Sequence, residues 1–326
     1  MSKRILIYNS KVNNNNFHLI SSLWQALSKI SGIDVRISNS QSIRVFVKSF
    51  EPEIIVFLGG EDVTFDVIQT LKNSSSKWIL WTTEDPFEIK RNKEISKYFD
   101  FVFTSDKASK ELYQHPNCYY LPLAADSSWF FHPVIEQPKE LLYDLIFIGT
   151  AWPNRTKFLQ DLTDLLKYNN LKSRFILPTN PYIPSDNLST INICKFERDF
   201  RVAPRDLAKL QNYSRFALTL FRDFSGDGNA RPQSSPTNRF YETSLAGTCQ
   251  IIVSNNMTIK EFHPEIEQYI FQCQDAQEVI KTIIWAKTNP EMRNSAASEM
   301  QKFVLENHSY LHRAKELLNI IDNSDK

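Results

Sequence analysis

Short apolar runs alternating with segments of helical spacing constrain this chain before anything else does. Arg4 to Tyr8, Ile33 to Ile37, Glu53 to Leu58, Lys77 to Trp81, Phe101 to Thr104 and Tyr119 to Leu123 read as strands. Between them, Phe17 to Ile30 places Leu19, Leu23, Trp24, Leu27 and Ile30 at helical intervals, and Ser42 to Phe50, Val63 to Leu71 and Lys107 to Tyr113 read as helices. Strands apolar nearly throughout are covered on both faces, and alternation with helices makes them parallel. The expected class is α/β, a doubly wound parallel sheet.

The pattern then repeats. Tyr143 to Gly149 is a buried strand ending in glycine and Thr156 to Tyr168 a helix. Further strands are expected at Ser173 to Leu177, Thr190 to Cys194, Ser214 to Leu220, Cys249 to Val253 and Gln268 to Phe271. Helices are expected from Pro204, over Thr258 to Phe262, Ala276 to Thr288 and Pro290 to Glu306, and at Ala314 to Ile321. A chain of 326 residues exceeds the usual single core. Pro133 to Leu141, polar and with two prolines, reads as the connection between two domains.

Composition removes several function classes. The formal net charge of +1 leaves no electrostatic footprint for nucleic acid. No apolar run approaches the ~20 residues of a membrane span, and the N-terminal apolar stretch is too short for a signal peptide. Cys118, Cys194, Cys249 and Cys273 are scattered, without metal-ligand spacing. They read as buried free thiols of a reducing cytoplasm, with no metal site. The first strand–helix loop, Asn9 to Asn16, contains no glycine, so a dinucleotide fingerprint is absent.

The most informative stretch is Arg231 to Val253, RPQSSPTNRFYETSLAGTCQIIV. Ser235 can cap a helix that accepts Pro236 at its first position, and Gly247 stands where a left-handed cap ends it. Asn238, Arg239 and Glu242 open this helix, with Arg239 and Glu242 on one face. An arginine in a first turn opposes the helix dipole unless an anion completes the site. A phosphate would do so, and Glu242 could accept hydrogen bonds from sugar hydroxyls. The plainer alternative is a solvated ion pair contributing about 0.2–0.5 kcal/mol.

Three other places carry possible chemistry. In FIGTAWPNRTKFLQ, Gly149 and Thr150 end a strand where backbone can approach a ligand, and Asn154 and Arg155 open a helix. Glu84-Asp85-Pro86 follows the carboxyl end of a strand, where open α/β sheets bind ligands. Either acid could serve as a base or meet acceptor hydroxyls; the pair could equally cap a helix beginning at Pro86. His18, at the head of the first helix, is a further candidate base beside a structural reading. Arg222 leads into Asp223 to Asn229, a Gly-containing loop without the ligand series of a calcium loop, which reads as a mobile lid or donor-site loop.

TNRFYETSLAGTCQIIV resembles the RxFExxAxGxxQ segment of bacterial CgeB-like glycosyltransferases, a GT-B branch related to glycosyltransferase family 4. FIGTAWPNRTKFLQ is similar to their FxGxxxPNRxxFL motif, Leu121 to Pro133 to their PLAADPxxFHP segment, and NHSYLHRAKELL to their HTYxxRxxxLL ending. An acidic-Pro stretch like Glu84-Asp85-Pro86 also occurs in them. The resemblance implies two Rossmann-like domains facing a cleft: residues 1–135 on the acceptor side, 136–305 on the nucleotide-sugar donor side, and 306–326 crossing back. It implies hexosyl transfer from a nucleotide-diphosphate sugar to an unidentified acceptor in the cytoplasm. No metal or cofactor beyond the donor is implied. Arg239 and Arg155 would neutralise the diphosphate and Glu242 would hold the ribose. Gly149, Thr150, Asn154, Arg222 and Asn238 would complete the donor site, with His18, Glu84 and Asp85 on the catalytic side. His308 and Arg313 read as structural. Where family 4 has a second glutamate, eight residues before the first, this chain has Ser234, so a retaining mechanism does not carry over. A non-catalytic nucleotide- or sugar-binding protein on the same scaffold is the alternative.

Overall fold

The computed structural model describes residues 2–9, 17–60, 63–150, 152–177, 203–222, 232–253 and 261–324. The expected strand Thr190–Cys194, the Asn13–Asn16 run, the whole Asp223–Asn229 loop and the start of the Thr258–Phe262 helix lie outside them. The chain divides into two compact units: residues 1–123, 225–235 and 310–326, and residues 124–224 and 236–309. The first division falls ahead of the polar connection around Pro133, and the terminal helix belongs to unit 1.

Unit 1 holds β1 (Lys3–Tyr8), β2 (Ile33–Ser38), β3 (Ile54–Leu58), β4 (Lys77–Trp81), β5 (Phe101–Thr104) and β6 (Cys118–Tyr120). They form one sheet in the order β2-β1-β3-β4-β5-β6, parallel throughout. Side chains alternate across the sheet. Leu6, Tyr8, Ile55, Phe57 and Leu80 pack with α2 (Ile43–Phe50), α3 (Phe65–Leu71) and Ile95 of α4 (Ile89–Ser96). On the other parity Trp81 meets the Tyr310 ring at 6.2 Å, on the final helix. That helix, Tyr310–Asn323, lies along α1 (Phe17–Ser28), and Lys3 pairs with its Asp322. Arg313 on it is buried and donates to the Pro122 carbonyl at 2.9 Å, in keeping with a structural role. α5 (Ser109–Leu112) is shorter than the spacing predicts.

Unit 2 holds β7 (Tyr143–Ile148), β8 (Ser173–Ile176), β9 (Ser214–Leu220), β10 (Cys249–Val253) and β11 (Phe271–Cys273) in the order β11-β10-β9-β7-β8, again parallel. One face carries α7 (Pro153–Tyr168) and α10 (Ala276–Thr288) over Leu145, Phe216, Leu218 and Ile251. The other carries α6 (Ser127–Phe130), α8 (Pro204–Asn212), α9 (Asn238–Leu245) and part of α11 (Pro290–Asn307), with Ile252. The final helix is α12. The sequence places a strand at Gln268 to Phe271, but Pro264–Tyr269 is a 3₁₀ helix and the strand starts at Phe271. Pro264 at its head pre-sets φ for a helical turn, and this outweighs the β-favouring Tyr269-Ile270.

In each sheet the first strand of the unit is flanked by the second and third strands. The topological switch therefore falls between β1 and β3 in unit 1 and between β7 and β9 in unit 2. Ligands of such sheets bind beyond the carboxyl ends of the strands at that crevice.

Candidate functional site

At the switch of unit 2, two stretches separated by some seventy residues of sequence meet. Past β7, Gly149 donates its N–H to the Ile176 carbonyl, and Trp152, with extended backbone, precedes Pro153 at the first position of α7. Arg155 folds back so that Nη1 donates to the Thr150 carbonyl at 3.2 Å. Past β9, the Phe221 carbonyl accepts from Asn154 Nδ2 at 2.9 Å, and the Arg222 guanidinium lies 4.3 Å from the centre of the Trp152 ring. Gly149, Thr150, Asn154, Arg155 and Arg222 are thus brought together. Asn154 Oδ1 is buried with no hydrogen-bond partner among the described residues. Trp152 is the member the sequence did not single out. A cation–π stack such as this contributes about 0.5–2 kcal/mol and holds a guanidinium in one place.

The start of α9 supplies the second group. Helices between parallel strands run against them, so the N-terminus of α9, which feeds β10, lies at the same carboxyl edge as that of α7. Glu242 is 1% exposed. Asn238 Nδ2 donates to its Oε1 at 3.0 Å, and Arg239 Nη1 stands 3.2 Å from Oε2, close enough for an ion pair but misaligned as a hydrogen bond. Arg239 itself is about a third exposed, with its side chain at 32%. The alternative of a solvated pair therefore does not describe this site: the acid and the Arg239 Nη1 that faces it are both buried, while the Arg239 side chain as a whole is about a third exposed. A buried carboxylate so placed is an acceptor for hydroxyl groups.

Ser235 is a correction. The helix starts at Asn238 with Thr237 as its flanking residue, and Ser235 Oγ instead accepts from the Lys107 amide at 2.8 Å, within unit 1. Ser234 does likewise: its N–H and Oγ–H both donate to Asp106 Oδ1, at 2.7 and 2.8 Å, and its Oγ accepts from the Ala108 amide. Asp106 Oδ2 meanwhile holds the Ser109 amide and hydroxyl at the head of α5. The position where family 4 has its second glutamate is therefore occupied by a serine tied to the loop after β5.

Gln250 on β10 fixes α9 from beneath. Its Nε2 donates to the Phe240 carbonyl at 2.7 Å and to Ser244 Oγ at 2.8 Å, and its Oε1 accepts from Thr219. Gln250→Leu removes donors from two buried acceptors and should cost about 2 kcal/mol. Urea unfolding checks this; an unchanged midpoint would show that α9 is held by apolar packing alone.

The candidates of unit 1 lie on separate strand ends. His18, in the first turn of α1 and 5% exposed, belongs to the β1 end. Glu84 and Asp85 follow β4, two strands along the sheet. Glu84 is half-buried, and its carbonyl accepts from the Phe87 and Glu88 amides. Asp85 points inward, 4% exposed. Its Oδ2 accepts from Thr82, Thr104 and Tyr113 hydroxyls at 2.5, 2.7 and 2.7 Å, and its Oδ1 from Asn92 at 2.9 Å. Burial pushes the Asp85 carboxyl above the usual carboxylate range despite these bonds. Burial and the Asp85 charge push the Tyr113 phenol up as well, so it stays a donor. The peptide between Asp85 and Pro86 is cis, and the helix begins at Ile89 rather than at Pro86. Asp85 is thereby a pin joining the ends of β4 and β5 to α4 and α5.

Cys118, Cys249 and Cys273 are buried free thiols; burial pushes Cys118 up to about 12 and Cys249 up to about 11. Among the described residues there is no cluster of three or more His, Cys, Asp or Glu placed to hold a metal. No helix among them is long and apolar enough to cross a membrane.

The chain is 25% identical over 122 residues to spore protein CgeB of Bacillus subtilis (strain 168), spanning 36% of this chain and 38% of that protein. Three solved structures share the fold over nearly the whole chain. An alpha-glucosyltransferase in complex with UDP and a 13-mer DNA superposes with TM-score 0.70 at 12% identity, covering 98% of this chain and 100% of the other. Anabaena HepE in complex with UDP and glucose gives 0.66 at 11%, covering 98% and 100%. A UDP-N-acetylglucosamine 2-epimerase from Listeria monocytogenes gives 0.62 at 11%, covering 99% and 97%. The two parallel-sheet units thus form a GT-B fold. Residues 128–319, which contain all of the unit 2 site, match the profile of one family over more than half of the chain, and the protein belongs to that glycosyl transferase-like family.

Proposed function

We propose that this protein is a glycosyltransferase whose nucleotide-diphosphate sugar binds unit 2 at the carboxyl ends of β7 and β9. The observation that carries the reading is the meeting of Arg222, stacked on Trp152, with Asn154 and Arg155 at the switch point. Two guanidiniums and the N-terminus of α7 converge there, and each favours a diphosphate. Glu242 accepts the ribose hydroxyls, while Arg239 reaches out to the phosphates. Charge that develops on the leaving diphosphate is met by Arg155, Arg222 and Arg239, with no metal given a part. A uridine donor comes first in order of test, because UDP occupies the alpha-glucosyltransferase and HepE relatives of the fold. A hexose is the sugar transferred. His18 and Glu84 are the candidate bases; Asp85 acts behind them as the pin described above. The buried free thiols suit a reducing cytoplasm.

The test is nucleotide release from UDP-, GDP-, dTDP- and CMP-sugars, with and without oligosaccharide acceptors. One nucleotide class should be turned over, and Arg222→Ala should lower kcat/KM at least about tenfold, as for removal of a charge-stabilising donor. Tight binding with no release from any donor would make the chain a binding module on the same scaffold. The serine at 234 in place of a second glutamate is the feature that favours that second reading.

A further inference from the structure

Unit 1 contains a cavity of about 450 Å³, far from any strand end discussed so far. It lies at the opposite, amino edge of the sheet: Ser74 and Ser76 precede β4, Trp78 is its second residue, and Asp100 immediately precedes β5. The strand between the two edges is five residues long, so the cavity stands roughly 15 Å from the carboxyl ends. Its size falls within the range of about 300–1,000 Å³ typical of small-molecule sites.

The lining is mixed in a way that narrows the occupant. Tyr98, 39% exposed, meets the Phe65 ring edge-on at 6.2 Å and carries the Lys97 ammonium 5.2 Å from its ring centre, so one aromatic face remains for a ligand. Trp78 closes the floor, 8% exposed. Around these rings stand donors and acceptors of both kinds: the Gln69 amide, the Lys72 ammonium, the Ser74 hydroxyl and the Asp100 carboxylate. Several are held in place. Ser76 Oγ donates to the Pro52 carbonyl at 2.5 Å and lies 2.7 Å from Ser74 Oγ. Asp100 Oδ2 accepts from the Trp78 amide at 2.7 Å, which leaves Oδ1 for a ligand.

The lining itself holds one lysine and one aspartate, and with Lys97 over the Tyr98 ring outside it the Asp100 carboxylate still repels a phosphate seated among them. A purely apolar ligand would strand the amide, ammonium and carboxylate without partners. A sugar ring meets both demands, presenting C–H groups to an aromatic face and hydroxyls to donors and acceptors around its rim. We propose that this cavity binds a neutral pyranose unit, and that it engages a carbohydrate chain at a point remote from the transfer site. The binding claim stands on the cavity alone. Its role as an acceptor-engaging site rests on the glycosyltransferase reading.

The test is saturation-transfer NMR and calorimetry with maltotetraose, cellotetraose and chitotetraose, with glucose 1-phosphate and inorganic phosphate as charged comparators. At least one neutral oligosaccharide should bind the wild type, and Tyr98→Ala and Gln69→Ala should each weaken it about fivefold. Both residues are exposed, and an unchanged thermal melt identifies a folded variant. Oligosaccharide binding that depends on Tyr98 and Gln69 in a protein that neither binds nor turns over any nucleotide sugar would uphold the cavity while the donor reading fails separately. Absence of binding by all three oligosaccharides would overturn the proposal. So would binding indifferent to both substitutions, or preference for the charged comparators.

Discussion

The Gly247→Ala protein is expected to melt roughly 4 °C below the wild type, a loss of about 3 kcal/mol. Two independent costs combine. Gly247 has φ of +68°, a left-handed conformation that an L residue with a Cβ adopts at a cost of about 1–2 kcal/mol. The added Cβ would also stand 2.7 Å from the His132 carbonyl oxygen and 3.1 Å from the Val134 amide nitrogen. These are backbone atoms of a strap that cannot swing away. The strap is pinned because His132 N–H donates to the Leu245 carbonyl, Asn212 donates to both the Pro133 and Ala246 carbonyls, and Gln301 bridges the His132 and Leu245 carbonyls. The clash therefore moves the end of α9 and with it Glu242. Differential scanning calorimetry checks the shift. A variant that melts with the wild type would show that the strap yields.

Asp85→Ala should be as damaging, at roughly 3–5 kcal/mol, because it leaves three hydroxyls and an amide without their shared acceptor. Thr82 and Thr104 have carbonyls at 3.4 and 3.3 Å to fall back on, from Phe103 and Asp106, so the loss is less than four full penalties. The pH dependence gives a sharper signature. Burial raises the native Asp85 pKa, so the native state holds its proton where the unfolded chain has lost it. The group's contribution is complete below the ordinary carboxylate value of about 4 and is lost as pH rises through the raised native value. Asp85→Asn cannot ionise. Its stability relative to wild type should therefore improve as pH is raised from about 4 and level off once Asp85 is ionised in the fold. Urea midpoints of both proteins from pH 4 to 8 measure this, and a relative stability that is flat or moves the other way would contradict the buried-acid account.

Much of the fold was legible because parallel strands buried on both faces leave an unmistakable trace. Ser214–Leu220, Cys249–Val253 and Ala276–Thr288 match the sequence reading residue for residue. Gly247 was readable as a C-cap because its helix runs unbroken into it. The failures are local competitions. Ser235 looked like a helix cap, yet a serine hydroxyl serves whichever amide is nearer, and the Lys107 amide is. For Glu84-Asp85 the sequence offered a base or acceptor-binding pair beside a cap on a helix at Pro86; the helix starts instead at Ile89, and only tertiary packing decides which of two adjacent acids turns inward. The donors that hold Asp85 come from residues 82, 92, 104 and 113, a set with no common spacing. Trp152 escaped notice for the same reason, since its partner Arg222 arrives from another strand.

The central claim is that unit 2 holds a nucleotide-diphosphate sugar through Arg222, Arg239 and Glu242. Its most direct test is thermal stabilisation by UDP-, GDP-, dTDP- and CMP-sugars of the wild type, Arg222→Ala and Arg239→Ala. At one hundred times its dissociation constant a ligand stabilises by about 2.7 kcal/mol, several degrees of melting temperature. The account predicts a shift with one nucleotide class, lost or sharply reduced in both variants. No shift with any donor, or an equal shift in wild type and variants, would contradict it.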